Sequence, residues 1–298
     1  MKQTKLVKKI DFFSVVTFFL LLIYLVGLFL PILWSLITSV TNIDGYFEFY
    51  VQKSPTDNMA FTLENFKHAW DNLHITAVGT QVTYNILGLY INSLIFSVSG
   101  ALAATLSTVI VSYLTARYNF GFSKVVYTFV IVAMSFPIVG SMASEIQMLE
   151  NLGIFGQWIS VPILRFSFLN VYFLVFYALF KGIPMDYTEA AKIDGASNWN
   201  IMTRVIMPQA KNMMVTVFVL NFITNWNDYQ VPHIYIPDYP VASYGVFYFM
   251  NVPQGGGITT NIPVQMAGVL IMTLPVLLLF IIFNKRLRIS VSMGGVKG

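Results

Sequence analysis

The sequence predicts an all-α membrane protein with six spanning helices. Three observations lead there: too few charges to coat a water-exposed surface, six long apolar stretches, and a strongly one-sided distribution of Lys and Arg. Of the 298 residues, 56% are hydrophobic and only 10% are charged. The mean hydropathy is +0.69. A soluble domain carries about 25% charged residues, so lipid must cover much of this surface. Cysteine is absent, which excludes disulfides, thiolate metal ligands and thiol nucleophiles. His68, His74 and His233 lie far apart and lack metal-ligand spacing, so they read as surface or interfacial residues and no metal site is expected. The net charge of +4 could suggest nucleic acid, but the placement of the basic residues points to a membrane.

About 20 apolar residues cross a bilayer as a helix. Candidate spans lie near 12–38, 84–114, 124–145, 166–181, 212–236 and 263–284. The first follows Lys2, Lys5, Lys8 and Lys9, as a secretory signal would. The uncharged run from Phe12 to Val40 is too long for a signal core and no Ala-x-Ala site closes it. It reads as a retained helix. In the third span Pro137 should impose a kink or a broken turn. The fourth, Phe166 to Phe180, is short, and extending it backwards places Arg165 near an interface.

Alternating sides from a cytoplasmic N-tail puts fourteen of the seventeen Lys and Arg inside; Lys53, Lys67 and Arg165 fall outside. The resulting organisation is a cytoplasmic N-tail at 1–11, a six-helix domain at 12–284 and a cytoplasmic C-tail at 285–298. Within the domain, 41–83 and 237–262 are external and 182–211 is a cytoplasmic loop. The first external segment is long enough for a small ordered cap. The second contains Pro237, Pro240, Pro253 and Gly255–Gly257, without Lys or Arg.

The loop between spans four and five carries the most information. Asp186 followed by Glu189 suits a helix start of the capping-box kind, with acids favoured by the helix dipole. Ala190 and Ala191 favour helix, and Gly195 can take the left-handed conformation that ends one. A second helix starts after Ser197 or Asn198 and runs towards Pro208. A short, small-faced helix at such a bend suits a groove on a partner. Glu189 taken alone reads equally as a surface or capping residue. The bend also resembles a helix-turn-helix, but its place between membrane spans argues against DNA, so no nucleic-acid partner is expected.

Glu189-Ala190-Ala191, Gly195 after three residues, and Val205-x-Met207-Pro208 after nine more together resemble the EAA loop of ABC importer permeases. Val205 replaces the usual Ile and Met207 the usual Leu. Lys192-Ile193-Asp194-Gly195-Ala196-Ser197, Trp226-Asn227-Asp228-Tyr229 followed by Pro232, and the ending Gly294-Gly295-Val296-Lys297-Gly298 are similar to carbohydrate-uptake permeases of the maltose-transporter type. In that family's tail Gly295 is usually Ala. The resemblance implies a type I ABC importer permease fold in a bacterial inner membrane. It implies that Glu189, Ala190, Ala191, Asp194, Gly195 and Pro208 belong to a coupling helix docked on an ATPase. It also implies that Gly294, Gly295, Val296, Lys297 and Gly298 reach between the ATPase subunits. The implied partners are a homologous second permease, a cytoplasmic ATPase dimer and an extracytoplasmic sugar-binding protein. ATPase dimerisation would move the coupling helices and switch access.

No Gly-x4-Gly-Lys-Ser/Thr loop is present, so the chain is not expected to cradle ATP; its partner would hydrolyse the nucleotide, and no cofactor is expected here. No nucleophile–base pair is readable, so the chain is expected to be a non-catalytic transport component. In span five, Asn221, Thr224, Asn225 and Asp228 fall on one helical face. Polar groups are costly in lipid, so this stripe, with Trp226 and Tyr229 as stacking faces, either lines a solute pathway or glues helices together. Asn92, Ser93 and Ser97 in span two admit the same two readings, with packing favoured. The alternative function is a secondary transporter or channel for a small polar solute. It would need buried coupling carboxylates, for which only Glu145 and Asp228 are candidates.

Overall fold

The computed structural model describes residues 12–53, 58–118, 121–136, 140–251 and 261–293, with side chains as far as 282. Helices dominate. Among the described residues, four are long and apolar enough to cross a membrane: Phe12–Ser39, Ile86–Arg117, Asn198–Asn227 and Ile262–Ile282. Two shorter apolar helices, Gly121–Ser135 and Val171–Gly182, occupy the places of the predicted third and fourth spans.

The chain forms two compact units, Met1–Asn72 with Phe249–Ile271, and Leu73–Tyr248 with Met272–Gly298. In the first, the helix Phe12–Ser39 exposes aliphatic and aromatic side chains all round over its central stretch. A helix apolar on every face is stable only in lipid or against other protein. Its end is tied locally: the buried Asn65 amide donates to the carbonyls of Ser39 (2.9 Å) and Thr41 (2.7 Å). Short helices follow the first span at Ile43–Tyr46 and Glu64–Asn72.

The second unit is built on the helix Ile86–Arg117, called here the spine. Its buried face reads Asn92, Ser93, Phe96, Ser97, Gly100, Ala101, Thr105, Thr108, Val109 and Ser112. The opposite face exposes Leu87, Ile91, Leu94, Ile95, Leu102 and Leu106. Large aliphatic groups outside and small or hydroxylated ones inside are the pattern expected in lipid, where close backbone approach replaces the hydrophobic drive. The helices Ser160–Arg165, Val171–Gly182 and Lys211–Asn227 pack on this face. A core of Val109, Tyr113, Phe176, Phe180, Ile201, Ile206 and Val217 fills the space near the spine's C-terminal end. A second, of Phe96, Val161, Ile236 and Val241, lies towards the other end. A two-stranded antiparallel hairpin, His74–Thr76 with Thr83–Asn85, precedes the spine, and Ile75 faces Tyr84. The Asn85 side chain then caps the spine by accepting from the amide of Gly88 (3.0 Å).

Three spans differ from their predicted extents. The third, expected over 124–145, stops at Ser135, and a separate helix follows at Met142–Asn151. Pro137, the expected site of a kink, lies outside the described residues. The fourth is preceded by a helical turn, Ser160–Arg165, and starts properly at Val171, where Asn170 caps it. The fifth, expected to 236, ends at Asn227; Asp228 is extended and a new turn runs from Gln230 to Tyr235. The stretches after Ser135 and Arg165 stay largely apolar, so hydropathy alone could not mark those breaks. The fifth span, by contrast, ends in the polar run Asn227-Asp228-Tyr229-Gln230.

The spine and the helix Lys211–Asn227 cross closely at Gly100. A Cβ there would lie 2.7 Å from the Asn225 amide nitrogen and 3.3 Å from Arg165 Cγ. Gly100→Leu should therefore destabilise the purified protein by about 1–3 kcal/mol, read as a lower melting temperature in detergent. A Cβ added at Gly27 would meet nothing within 4 Å, and Gly27→Ala should leave the transition unchanged or slightly higher.

Candidate functional site

The loop after the helix Val171–Gly182 builds a compact exposed element. Pro184 interrupts the chain, and a new helix runs from Asp186 to Ile193. Its N-cap is Met185, without a side-chain cap bond. The expected capping box therefore does not form. Asp186 and Glu189 both stand in the first turn, where the helix dipole still favours them.

The C-terminus is closed as the sequence suggested. Gly195 has φ +77°, a conformation costly for any residue with a Cβ. The Ala196 amide donates to the Ala191 carbonyl (2.9 Å) and the Gly195 amide to that of Lys192 (3.0 Å). These two bonds are the Schellman pattern, with Gly195 at the left-handed position. No atom crowds Gly195, so glycine is required there by backbone conformation rather than by space. Ser197 then starts the next helix, its Oγ accepting from the Asn200 amide (3.3 Å). That helix loosens to a π-turn over Ile201–Ile206 and tightens to a 3-10 turn over Met207–Ala210 before regular helix resumes at Lys211. Pro208 sits at the tight turn, where its missing N–H costs little.

The loop helix buries none of its own residues. Glu189, Ala190, Asp194 and Gly195 are all exposed, and Ala191 is half-buried. Large apolar side chains are also exposed around it: Ile193 at 85%, Trp199 at 66%, Tyr187 at 51% and Met185 at 48%. A cluster of this kind on a polar loop marks a contact surface.

Arg117, read in the sequence only as one of the inside charges, holds this loop in place. Its Nη1 donates to the carbonyls of Ile183 (2.6 Å) and Phe180 (3.4 Å). Its Nη2 donates to Thr188 Oγ1 (2.5 Å) and the Pro184 carbonyl (3.4 Å). Nothing local in the sequence signals a pairing across more than sixty residues.

The polar stripe of the fifth span divides. Asn221 donates to Thr105 Oγ1 on the spine (3.1 Å). Asn225 is buried and lies over Gly100. Trp226 is buried between Tyr90 and Phe222. Thr224 is exposed and bonds back to the Leu220 carbonyl (3.0 Å). Asp228 is half-buried: Oδ2 pairs with Arg165 Nη2 at 2.5 Å, and Oδ1 accepts from the amides of Gln230 (3.0 Å) and Val231 (3.1 Å). Tyr229 stacks on Phe247 with ring centroids 4.7 Å apart. In span two, Asn92 donates to the Pro240 carbonyl (2.9 Å) and Ser93 Oγ accepts from the Ala242 amide (2.6 Å), so both serve packing. Ser97 is fully buried, with its hydroxyl unpartnered. The tail residues Gly294, Gly295, Val296, Lys297 and Gly298 lie outside the described residues.

The fold is shared with a solved structure. A chain in the crystal structure of a bacterial ABC transporter involved in the import of the acidic polysaccharide alginate superposes with a TM-score of 0.74 at 20% identity, over 95% of this chain and 99% of that one. The diacetylchitobiose uptake system permease protein NgcG of Streptomyces coelicolor is 25% identical over 95% of this chain and 88% of its own length. The melibiose/raffinose/stachyose import permease protein MelC of Bacillus subtilis is 25% identical over 80% of this chain and 82% of its own. Residues 108–291, which include the spine's C-terminal third, the exposed loop and the last helix, match the family of binding-protein-dependent transport system inner membrane components, and the chain belongs to that family.

Proposed function

We propose that this chain is the permease subunit of an ATP-driven sugar importer, with an oligosaccharide as the solute. It would form half of the pathway beside a homologous second permease and take energy from an ATPase dimer. The observation that carries the reading is the exposed helix Asp186–Ile193, closed at Gly195 and surrounded by exposed Met185, Tyr187, Ile193 and Trp199. Relatives named for diacetylchitobiose and for melibiose, raffinose and stachyose support the solute class. Glu189, Ala190, Ala191, Asp194 and Gly195 form the coupling surface, and Pro208 sets the return towards the membrane. The tail Gly294–Gly298 adds a second ATPase contact, by resemblance. The alternative of a secondary transporter is not favoured by the relatives or by the two candidate carboxylates. Asp228 is paired with Arg165, Glu145 accepts from the Tyr235 hydroxyl at 2.5 Å, and the relatives are named as sugar uptake and import permeases.

For the pathway, Thr224 of span five offers exposed surface to a solute, and half-buried Asp228 and Tyr229 follow just past the end of that helix. Asn221, Asn225 and Trp226 support that wall from behind, through the spine.

Three outcomes test these assignments. In the complex with its sister permease, ATPase and binding protein, Gly195→Pro should abolish solute-stimulated ATP hydrolysis without changing the binding protein's affinity for sugar. Proline cannot adopt φ +77° and would delete the donor to Lys192. Glu189→Lys should impair stimulation too, by placing a cation at a helix start. Full transport by both variants, normally assembled, would remove the coupling assignment.

Orientation is tested by labelling, which suits a cysteine-free chain. Ala190→Cys should react with an impermeant maleimide only after the cytoplasmic side is opened. Labelling in intact cells would reverse the topology.

Asn221→Leu should lower the melting temperature of the complex, because membrane hydrogen bonds contribute about 0.6 kcal/mol each. Solute selectivity should stay as in the parent. Altered selectivity at unchanged stability would return Asn221 to the pathway surface.

A further inference from the structure

The loop helix is joined to its membrane helix by a weak link. The helix Val171–Gly182 ends, Ile183-Pro184-Met185 follows, and a new helix begins at Asp186. Pro184 cannot continue the first helix, and such a link would ordinarily act as a swivel. A push on the loop helix would then be absorbed by rotation at the link.

Arg117 removes that freedom. It is the last residue of the spine, and its guanidinium reaches both sides of the link. On one side it holds the carbonyls of Phe180, Ile183 and Pro184; on the other it holds the hydroxyl of Thr188, inside the loop helix. Those carbonyls include ones freed by the helix end, which a basic group satisfies well. Its Nε is buried without a partner, so the group is held by Nη1 and Nη2 alone. A lysine has one compact ammonium and could not span four acceptors.

Building on the coupling role assigned above to Asp186–Ile193, we infer that Arg117 is a positioning residue that transmits displacement of the loop helix directly to the spine. The spine carries the buried face on which Ser160–Arg165, Val171–Gly182 and Lys211–Asn227 pack. A movement delivered at its C-terminal end therefore reaches every helix of that contact set as one rigid shift.

The experiment uses the full complex reconstituted in vesicles, with Arg117→Gln, Arg117→Lys, Thr188→Val and the double variant Arg117→Gln/Thr188→Val. Two quantities are read: the ratio of stimulated to basal ATP hydrolysis, and solute moved per ATP. Arg117→Gln should lower both by roughly fivefold or more, with Arg117→Lys restoring only part. Thr188→Val should give a smaller loss that adds little in the double variant, because both residues act through one contact. A purely structural role would reduce yield and melting temperature but leave solute per ATP intact. Normal values of both quantities in assembled Arg117→Gln would overturn the inference. If that variant fails to assemble, Thr188→Val decides: it removes only the loop-side anchor, and normal coupling in it would overturn the inference. Gly195→Pro separates the two layers. Normal stimulation there removes the coupling role itself, whereas loss there with normal Arg117→Gln removes only the link through Arg117.

Discussion

The second unit depends on one constraint: the spine must satisfy the hydrogen bonds of its neighbours as well as pack against them. Within hydrocarbon, no water is available to an interrupted helix, so each free carbonyl or amide needs a protein partner. The break between Arg165 and Val171 lies opposite hydroxyls of the spine. Ser107 Oγ donates to the Ser167 carbonyl (3.1 Å) and Ser112 Oγ to that of Phe173 (3.1 Å). Asn170, which caps the helix beginning at Val171, donates to Thr108 Oγ1 (3.0 Å). At the other end, Asn92 and Ser93 meet Pro240 and Ala242. The small and hydroxylated face is thus what allows the neighbouring chain to bend at membrane depth.

The same constraint explains which features were legible in the sequence. Apolar run lengths located the long helices because burial in lipid is a composition-wide requirement. The loop was legible because Glu189-Ala190-Ala191 and Gly195 encode a local event, a short helix and its left-handed stop. Pro137 marked a kink or broken turn in the third span, but the breaks at Arg165 and Asn227 were not legible. Polar residues stand at both, Arg165 and Asp228, but in a sequence such residues read equally as the interfacial ends of spans. These breaks persist because residues on another element accept or donate across the gap. The ion pair of Arg165 with Asp228 belongs to the same class: the two stand 63 positions apart, and neither predicts the other. In the sequence, Arg165 was an outlier to the charge rule and Asp228 a pathway candidate. Together they fasten the turn Ser160–Arg165 to the end of the helix Lys211–Asn227.

Asn221 and Asn225 show where periodicity runs out. Their spacing placed them on one face with Thr224 and Asp228, which is how a solute-lining stripe or an interhelical seam would look. Only the position of Gly100 separates the readings. By leaving no side chain, it lets Asn225 descend onto the spine while Asn221, one turn earlier, reaches Thr105. The stripe is then shared between a seam and an open edge, with Thr224 on the exposed side.

The exposed loop follows a different rule from the core it joins. The core achieves rigidity by removing choices: small residues, matched donors, aromatic contacts such as Tyr113 on Phe180 with centroids 5.6 Å apart. The loop helix has no buried residue of its own. It touches the core through the small side chain of Ala191, which offers little resistance to a lateral load. Its shape is set by backbone chemistry, the Schellman closure at Gly195 and the Ser197 cap. Its position is set by packing on the turn Ile201–Ile206 and by a single arginine at the end of the spine. Under the proposed coupling role, that division suits an element that presents a fixed shape to a separate protein while its attachment carries the load. A loop helix buried in the bundle would be equally rigid but inaccessible. One tethered by Ile183-Pro184-Met185 alone would be accessible but free to turn. Charge-assisted hydrogen bonds from Arg117 to carbonyls and a hydroxyl reconcile exposure of the surface with stiffness of its base.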